Sequence, residues 1–381
     1  MTKQVTDKPQ CRECLVVHAD GVHFLSPKRP QQSIRYKNAR LSVEKRPLSL
    51  LPYGHLRLEM LYAGICGTDL HLMKRDAEGF VATSAPLHIP AEGRVLGHEG
   101  VGRVLSMGTG VDRFKQGDIV ALESIITCQS CEPCRRGQFN QCLNARLIGL
   151  ESDGLFGTIV DVPASVAHNV TAMAHDDSGL RASACLEPAG VAWLACERSS
   201  LSGGDRVMIF GGGPIGFYCA MLARLIFGAS WIALVDPVAF RKEHAARWCD
   251  EVYDLSDERI ESARIDVVIE ASGFLDNLQR VIAGVRPSGR IALLGRNGKP
   301  LRLDGVDHII TNGITIRGVR GHLGGAFGRL IALYQSGRLP LDDAVTTVIT
   351  SLDMLEEQLT HHEQLISQNC KVLVKLSSYN Q

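Results

Sequence analysis

RVMIFGGGPIG, residues 206–216, runs an apolar stretch straight into a glycine cluster. Gly211, Gly213 and Gly216 stand in G-x-G-x-x-G spacing, after what reads as a strand and before what reads as a helix. In a chain with 38 glycines the hexapeptide alone is weak, and this context makes it strong. Gly211 permits the tight turn, Gly213 lets backbone approach a pyrophosphate, and Gly216 lets helix pack on strand. Gly212 and Ile215 complete the loop. Pro214 suits the first helical turn, where its missing N–H costs nothing, and the free N–H groups there face the phosphates. Twenty residues past Gly216, WIALVD ends in Asp236. A carboxylate at that place accepts from both adenine-ribose hydroxyls and repels a 2′-phosphate, which argues for NAD over NADP. Arg241, one helical turn on, keeps NADP open, and capping of the next helix is the plain structural role for Asp236.

Working outward, WIALVD (231–236), IDVVIEAS (265–272) and RIALLG (290–295) are further apolar strands, with ITIRGV (314–319) after them. PIGFYCAMLARLIFG, AFRKEHAARW and GAFGRLIALYQSG are the helix-length segments of this region. Near-continuous apolar strands alternating with helices predict a parallel sheet covered on both faces. Before about residue 188 the pattern differs. CLVVHA, HLRLEMLYAG, EGVGRVLSMG, DIVALES and GTIVDVPA are short β-rich runs between Gly, Pro and Asp turns, the signature of a bent all-β unit. The strand-like CKVLVKL (370–376) predicts that the C-terminal part returns to this unit. The expected domains are 1–193, 194–337 and 338–381, the last belonging with the first. The basic stretch 26–38 reads as a solvated loop.

At 381 residues the chain exceeds one ordinary core. Lys+Arg equals Asp+Glu at 41 each, which gives no electrostatic case for nucleic acid or an anionic membrane. No apolar run reaches the roughly 18–20 residues that span a bilayer. The polar opening MTKQVTDKPQ has no apolar leader, so a cytoplasmic location is expected. Twelve cysteines then favour metal binding or reduced thiols over disulfides.

CQSCEPCRRGQFNQC (128–142) holds Cys128, Cys131, Cys134 and Cys142 in C-x2-C-x2-C-x7-C spacing. Four thiolates satisfy tetrahedral zinc and leave no position for substrate, so this is a structural site. An open site needs fewer or displaceable ligands. YAGICGTDLH offers Cys66 with Thr68 and His71, VLGHEGVG offers His98 and Glu99, and CLEPAG offers Glu187. One thiolate, one imidazole and one or two carboxylates suit a catalytic zinc. Singly, each has a dull reading: a buried cysteine, a core histidine, a helix-start charge. Cys11-x-x-Cys14 has no partners at metal spacing.

GICGTDLH, GHEGVGRV, the four-cysteine loop, LEP and GGGPIG occur in this order and together resemble the zinc-containing medium-chain dehydrogenase/reductase (alcohol dehydrogenase) superfamily. The resemblance runs from about residue 14 to the end, and the motif forms are similar to its polyol and threonine dehydrogenase branches. It implies an α/β protein: a GroES-like bent β catalytic domain plus a Rossmann domain with a doubly wound parallel sheet of six strands. It implies two zinc ions per chain, with Cys66, His98 and Glu99 ligating the catalytic one and Glu187 a fourth ligand or one exchanging with water. The activity implied is oxidation of a secondary alcohol to a ketone with hydride transfer to NAD, Thr68 as first proton relay and His71 as its outlet. The substrate expected is a small polar hydroxylated molecule (polyol, sugar or aminocyclitol), with a threonine-type amino alcohol as the alternative. A non-catalytic zinc- and NAD-binding scaffold would need one of these ligands missing, and none is. A homodimer or homotetramer is implied through the strand near ITIRGV.

Three negative charges, on Cys66, Glu99 and Glu187, would surround one Zn²⁺ and weaken its Lewis acidity. One carboxylate is therefore expected to be displaced during turnover. Lys74, Arg75, Glu78 and Glu92 lie in a segment expected to border the substrate, though solvation is the ordinary role of such charges. Phe156 is expected to supply an apolar wall of the pocket. Leu155 stands where the resembled pattern usually has glycine.

Overall fold

The computed structural model describes residues 11–20, 38–71, 93–296 and 301–377. Its second domain is a parallel sheet of six strands in spatial order Glu251–Tyr253, Trp231–Val235, Arg206–Phe210, Ile265–Glu270, Val285–Leu293, Thr315–Gly318. Numbered along the chain this is 3-2-1-4-5-6, so the order reverses beside Arg206–Phe210, where such folds place a dinucleotide. The apolar strands are buried on both faces. Val207, Ile209, Ile232 and Leu234 pack with the helices of one side, and Met208, Phe210, Ala233 and Val235 with those of the other. The strand Glu251–Tyr253 is the member the sequence did not announce; at three residues it is too short to show a pattern.

The first domain is built around His55–Gly64, a ten-residue strand that touches three others. Along its length it pairs with Glu99–Met107 and Ile159–Pro163, and at its end with Lys371–Lys375. Register breaks after Arg57 and Met60 bend it, which lets one strand serve so many neighbours. Val345–Ile349 extends this sheet beyond Lys371–Lys375, so both C-terminal strands lie in it. A separate antiparallel sheet joins Asn38–Pro47, Cys11–Asp20 and Arg94–Val95.

Two helices, Asp177–Ala184 and Leu186–Arg198, occupy the junction, in a stretch whose end read as β-rich from sequence. Asp176 caps the first by accepting the Gly179 N–H at 2.7 Å. The second is buried nearly all round, among side chains of both domains. A small ladder, Ile125–Ile126 against Arg146–Leu147, closes the base of the four-cysteine lobe. Among the described residues no helix is long and apolar enough to cross a membrane.

Candidate active site and metal centres

Register assembles the first group. Gly64 ends its strand opposite Glu99 on one side and Leu373 on the other, so Cys66, Glu99 and Lys371 meet at one end of the sheet. His98 precedes Glu99 and is turned in by Gly97, whose φ of +89° a side chain would resist. Donor atoms of Cys66, His98 and Glu99 lie within 4.8 Å of one another. Gly64 makes room: a Cβ there would sit 2.3 Å from Glu99 Oε2.

Two residues absent from the sequence reading complete this group. Asp69, almost fully buried, accepts the Cys66 N–H at 2.9 Å and lies 3.9 Å from His98 Nδ1. It shapes the turn carrying the thiol and faces the imidazole, the arrangement by which a carboxylate orients a ligating histidine. Lys371, wholly buried, pairs with Glu99 and donates to the Ile65 carbonyl at 2.8 Å. Burial raises the Glu99 carboxyl above its usual range, and Lys371 works against that. Burial alone would lower the Lys371 amine, but Glu99 and Cys66 hold it above its ordinary value. The charge count drawn from sequence therefore lacked a cation: one of its three anions already carries a protein partner.

Burial opposes charge on His98 too, yet Cys66, Asp69 and Glu187 hold its proton well above the ordinary histidine range. A field that draws a proton to this imidazole also draws a metal cation. His98 Nδ1 is buried without an aligned hydrogen-bond partner. Thiolate, imidazole and carboxylate at this spacing fit zinc.

Glu187 opens the junction helix and lies beside this group, not inside it. Its Oε1 accepts from Ser124 Oγ at 2.8 Å and faces His322 Nδ1 at 3.2 Å. Burial would raise its carboxyl, but His322, His98 and the Ser124 hydroxyl bring it down to about 2. Thr68 Oγ1 is 3.8 Å from Cys66 Sγ. The backbone of His71 ends the short helix Gly67–His71; its side chain lies outside the described residues, as do Lys74, Arg75, Glu78 and Glu92. Phe156 departs from expectation. It is fully buried, with its ring 2.7 Å from where a Gly97 Cβ would be, so it backs the turn that carries His98 and does not wall a pocket.

The four sulfurs of Cys128, Cys131, Cys134 and Cys142 also lie within 4.8 Å of one another. The N–H groups of Cys128 and Cys131 each point at a neighbouring sulfur at 3.4 Å. Ser130, Asn144 and Cys131 donors bring the Cys128 thiol down to about 5, whereas burial and the adjacent thiols push Cys134 up to about 12. All are free cysteines.

The glycine loop joins Arg206–Phe210 to the helix Pro214–Leu225. Gly211 has φ +99°, and a Cβ on it would meet the Ser272 backbone N at 2.9 Å. A Cβ on Gly213 would meet nothing within 4 Å, so this backbone is open to close approach. A Cβ on Gly216 would lie 1.7 Å from the Gly211 carbonyl oxygen, the tight helix–strand contact. Pro214 is at the helix start, with Ile215 beside it. Asp236 accepts the Gly212 N–H at 2.6 Å and the Val238 N–H at 2.7 Å, with Arg241 3.9 Å away.

A bent β domain and a dinucleotide fold flanking a thiolate–imidazole–carboxylate group define a zinc-type dehydrogenase. Residues 53–172 match the alcohol dehydrogenase GroES-like domain, and residues 214–336 match the zinc-binding dehydrogenase domain. The chain is 31% identical over 319 residues to L-threonine 3-dehydrogenase of Pyrococcus horikoshii, covering 80% of this chain and 86% of that one. It is 30% identical over 321 residues to "Probable D-xylulose reductase A" of Aspergillus clavatus, with the same coverage of 80% and 86%. An alcohol dehydrogenase of E. coli CFT073, crystallised with NADH, shares the fold at TM-score 0.79 and 21% identity, over 96% of this chain and 99% of that one. The chain belongs to the zinc-containing medium-chain dehydrogenase family, in its polyol and threonine branch, and is an oxidoreductase.

Proposed function

We propose that the protein oxidises a secondary alcohol of a small polar hydroxylated molecule to a ketone, using NAD and two zinc ions per chain. The convergence of Cys66, His98 and Glu99, from separate strand ends at the domain junction, carries this reading. When bound, zinc supplies Lewis acidity toward an alcohol oxygen and NAD supplies a hydride acceptor. Cys66, His98 and Glu99 hold the catalytic ion, and Glu187 is the carboxylate that exchanges with water. Cys128, Cys131, Cys134 and Cys142 hold the structural ion. The backbone of Gly211–Gly216 takes the pyrophosphate. Asp236, on the glycine loop through Gly212, reads the adenine ribose and favours NAD over NADP, with Arg241 as its neighbour. Thr68 takes the alcohol proton first and His71 passes it outward.

The xylulose reductase relative favours a polyol or sugar, and the threonine dehydrogenase relative keeps an amino alcohol as the second reading. The exposed edge strand Thr315–Gly318 supports assembly as a homodimer or homotetramer, which sizing by light scattering checks. The deciding experiment is NAD reduction against polyols, sugars, aminocyclitols and amino alcohols, with metal content measured on the same samples. Cys66→Ser is expected to lose one of two zinc ions and roughly 10²–10⁴-fold in rate, the several kcal/mol of a Lewis acid. Undiminished turnover in that variant, or no turnover on any secondary alcohol, refutes the reading.

A further inference from the structure

Glu187 lies in the first turn of the helix Leu186–Arg198, whose glycine Gly190 faces the second domain. A Cβ on Gly190 would lie 3.0 Å from the Cβ of His322, which belongs to the turn Gly321–Gly325 before the helix Ala326–Gln335. A glycine inside a helix costs about 0.5–1 kcal/mol relative to alanine. Here it admits a fully buried imidazole to the flank of the site.

The ring's protonation follows from its neighbours. The Ser124 backbone N–H points at His322 Nε2 at 3.1 Å, so Nε2 is the accepting nitrogen and the proton resides on Nδ1. Nδ1 lies 3.2 Å from Glu187 Oε1, close enough to attract it electrostatically though not aligned as a hydrogen bond, and has no hydrogen-bond partner of its own. Ser124 thus acts twice, fixing the imidazole through its N–H and donating its hydroxyl to the same Oε1 at 2.8 Å. One hydroxyl donor and one close imidazole N–H on the same carboxylate oxygen compete with a metal for it and hold the group beside the Cys66–His98–Glu99 cluster.

The adjoining residue ties this arrangement to the four-cysteine lobe. Asn140, inside the seven-residue gap between Cys134 and Cys142, is almost fully buried and bonds both backbone groups of Leu323. It donates to the carbonyl at 3.0 Å and accepts the N–H at 3.0 Å. Gly321 allows this grip: its φ is +76°, and a Cβ there would fall 2.3 Å from Asn140 Oδ1. An unbroken path therefore runs from the lobe through Asn140, Leu323 and His322 to Glu187, crossing from one domain to the other and back.

We propose that His322 is a positioning residue that biases Glu187 toward its place off the metal-binding group, so setting how readily it exchanges with water there, and that the four-cysteine lobe sets His322 in place through Asn140. The lobe then has a part in the active site beyond bracing its own loop. This rests on the reading that Cys66, His98 and Glu99 bind the catalytic ion, and the test separates the two.

Enzyme carrying cobalt(II) at that group and zinc in the lobe is followed by its visible absorption and by cobalt transfer to a chelator. Loss of the cobalt bands in Cys66→Ser is the control; bands that persist refute the metal assignment itself. In His322→Phe the freed Glu187 is expected to join the ion. The bands then shift, cobalt leaves roughly tenfold more slowly, and kcat falls by about the same factor, at the lower end of what residues behind metal ligands are worth. His322→Gln, whose amide offers an N–H donor group and an acceptor oxygen, should keep wild-type bands. Asn140→Leu should move the bands in the same direction while the lobe keeps its zinc. In a Glu187→Gln background the His322→Phe shift should vanish. Unchanged bands or faster cobalt loss in His322→Phe, or a shift that survives Glu187→Gln, overturns the proposal for His322. Wild-type bands in Asn140→Leu overturn the part assigned to the lobe.

Discussion

Replacing Lys371 with methionine removes the cation from a fully buried pair and leaves Glu99 facing it uncompensated. Breaking a buried ion pair from one side costs about 3–5 kcal/mol, because the remaining charge must be protonated or left desolvated. The lost hydrogen bond from Lys371 to the Ile65 carbonyl adds about 1 kcal/mol. At roughly 2–4 °C per kcal/mol for a unit of this size, the transition should fall by about 8–24 °C. The measurement is calorimetry on metal-free protein, so that ligation by Glu99 does not mask the result. The double variant Lys371→Met/Glu99→Gln removes both charges and should recover most of the loss, since a buried pair replaced as a whole is often nearly neutral. A fall of under about 2 °C in the single variant, or a double variant no more stable than the single, refutes the idea that Lys371 acts by balancing Glu99.

Two glycines of one loop should separate folding from cofactor binding. Gly216→Ala drives a Cβ to 1.7 Å from the Gly211 carbonyl and should cost on the order of 1–3 kcal/mol in urea unfolding. Gly213→Ala meets nothing within 4 Å, so stability should hold within about 1 kcal/mol. The KM for NAD should rise about tenfold, equivalent to roughly 1.4 kcal/mol. In the lobe, Cys128 is held at about 5, below its unfolded range, so its thiolate favours the fold above that range and the contribution is lost as pH falls through about 5. In metal-stripped folded protein, iodoacetamide labelling of Cys128, read by peptide mass spectrometry, should stay level from pH 8 to about 6 and halve near 5. A halving near pH 8 would refute the assignment.

Much of the second domain was legible because its strands are read by continuity. Arg206–Phe210 coincides with the apolar run before the glycines, and both faces of that strand are covered as such a run requires. The ligand candidates Cys66, His98 and Glu99 were legible because short motifs carry them, and the structure brings all three together. What escaped lies in groups whose meaning depends on a distant partner. Lys371 looks like an ordinary charge in CKVLVKL until register sets it against Glu99, 272 residues away. His322 sits in a glycine-rich turn and acquires a role only when Gly190 lets it approach. Asp69 was one residue past a motif position already chosen, and its position three after Cys66 was the available signal for a carboxylate closing the turn. Phe156 was misread because an aromatic near a site serves equally to back a ligand and to face a substrate.

The strand His55–Gly64 has a consequence for the order of assembly. Its early partner, Glu99–Met107, is made soon after it, but Lys371–Lys375 is translated only after the whole nucleotide-binding domain. Until then Glu99 has no counter-charge, and the sheet that frames Cys66 has an open side. The inserted domain relies on pairings within 206–318 and can fold first, while the catalytic sheet waits on its most distant contact. The surroundings of Cys66, His98 and Glu99 are thus expected to complete only once Lys371–Lys375 has joined the sheet, although Cys66 and Glu99 are synthesised early.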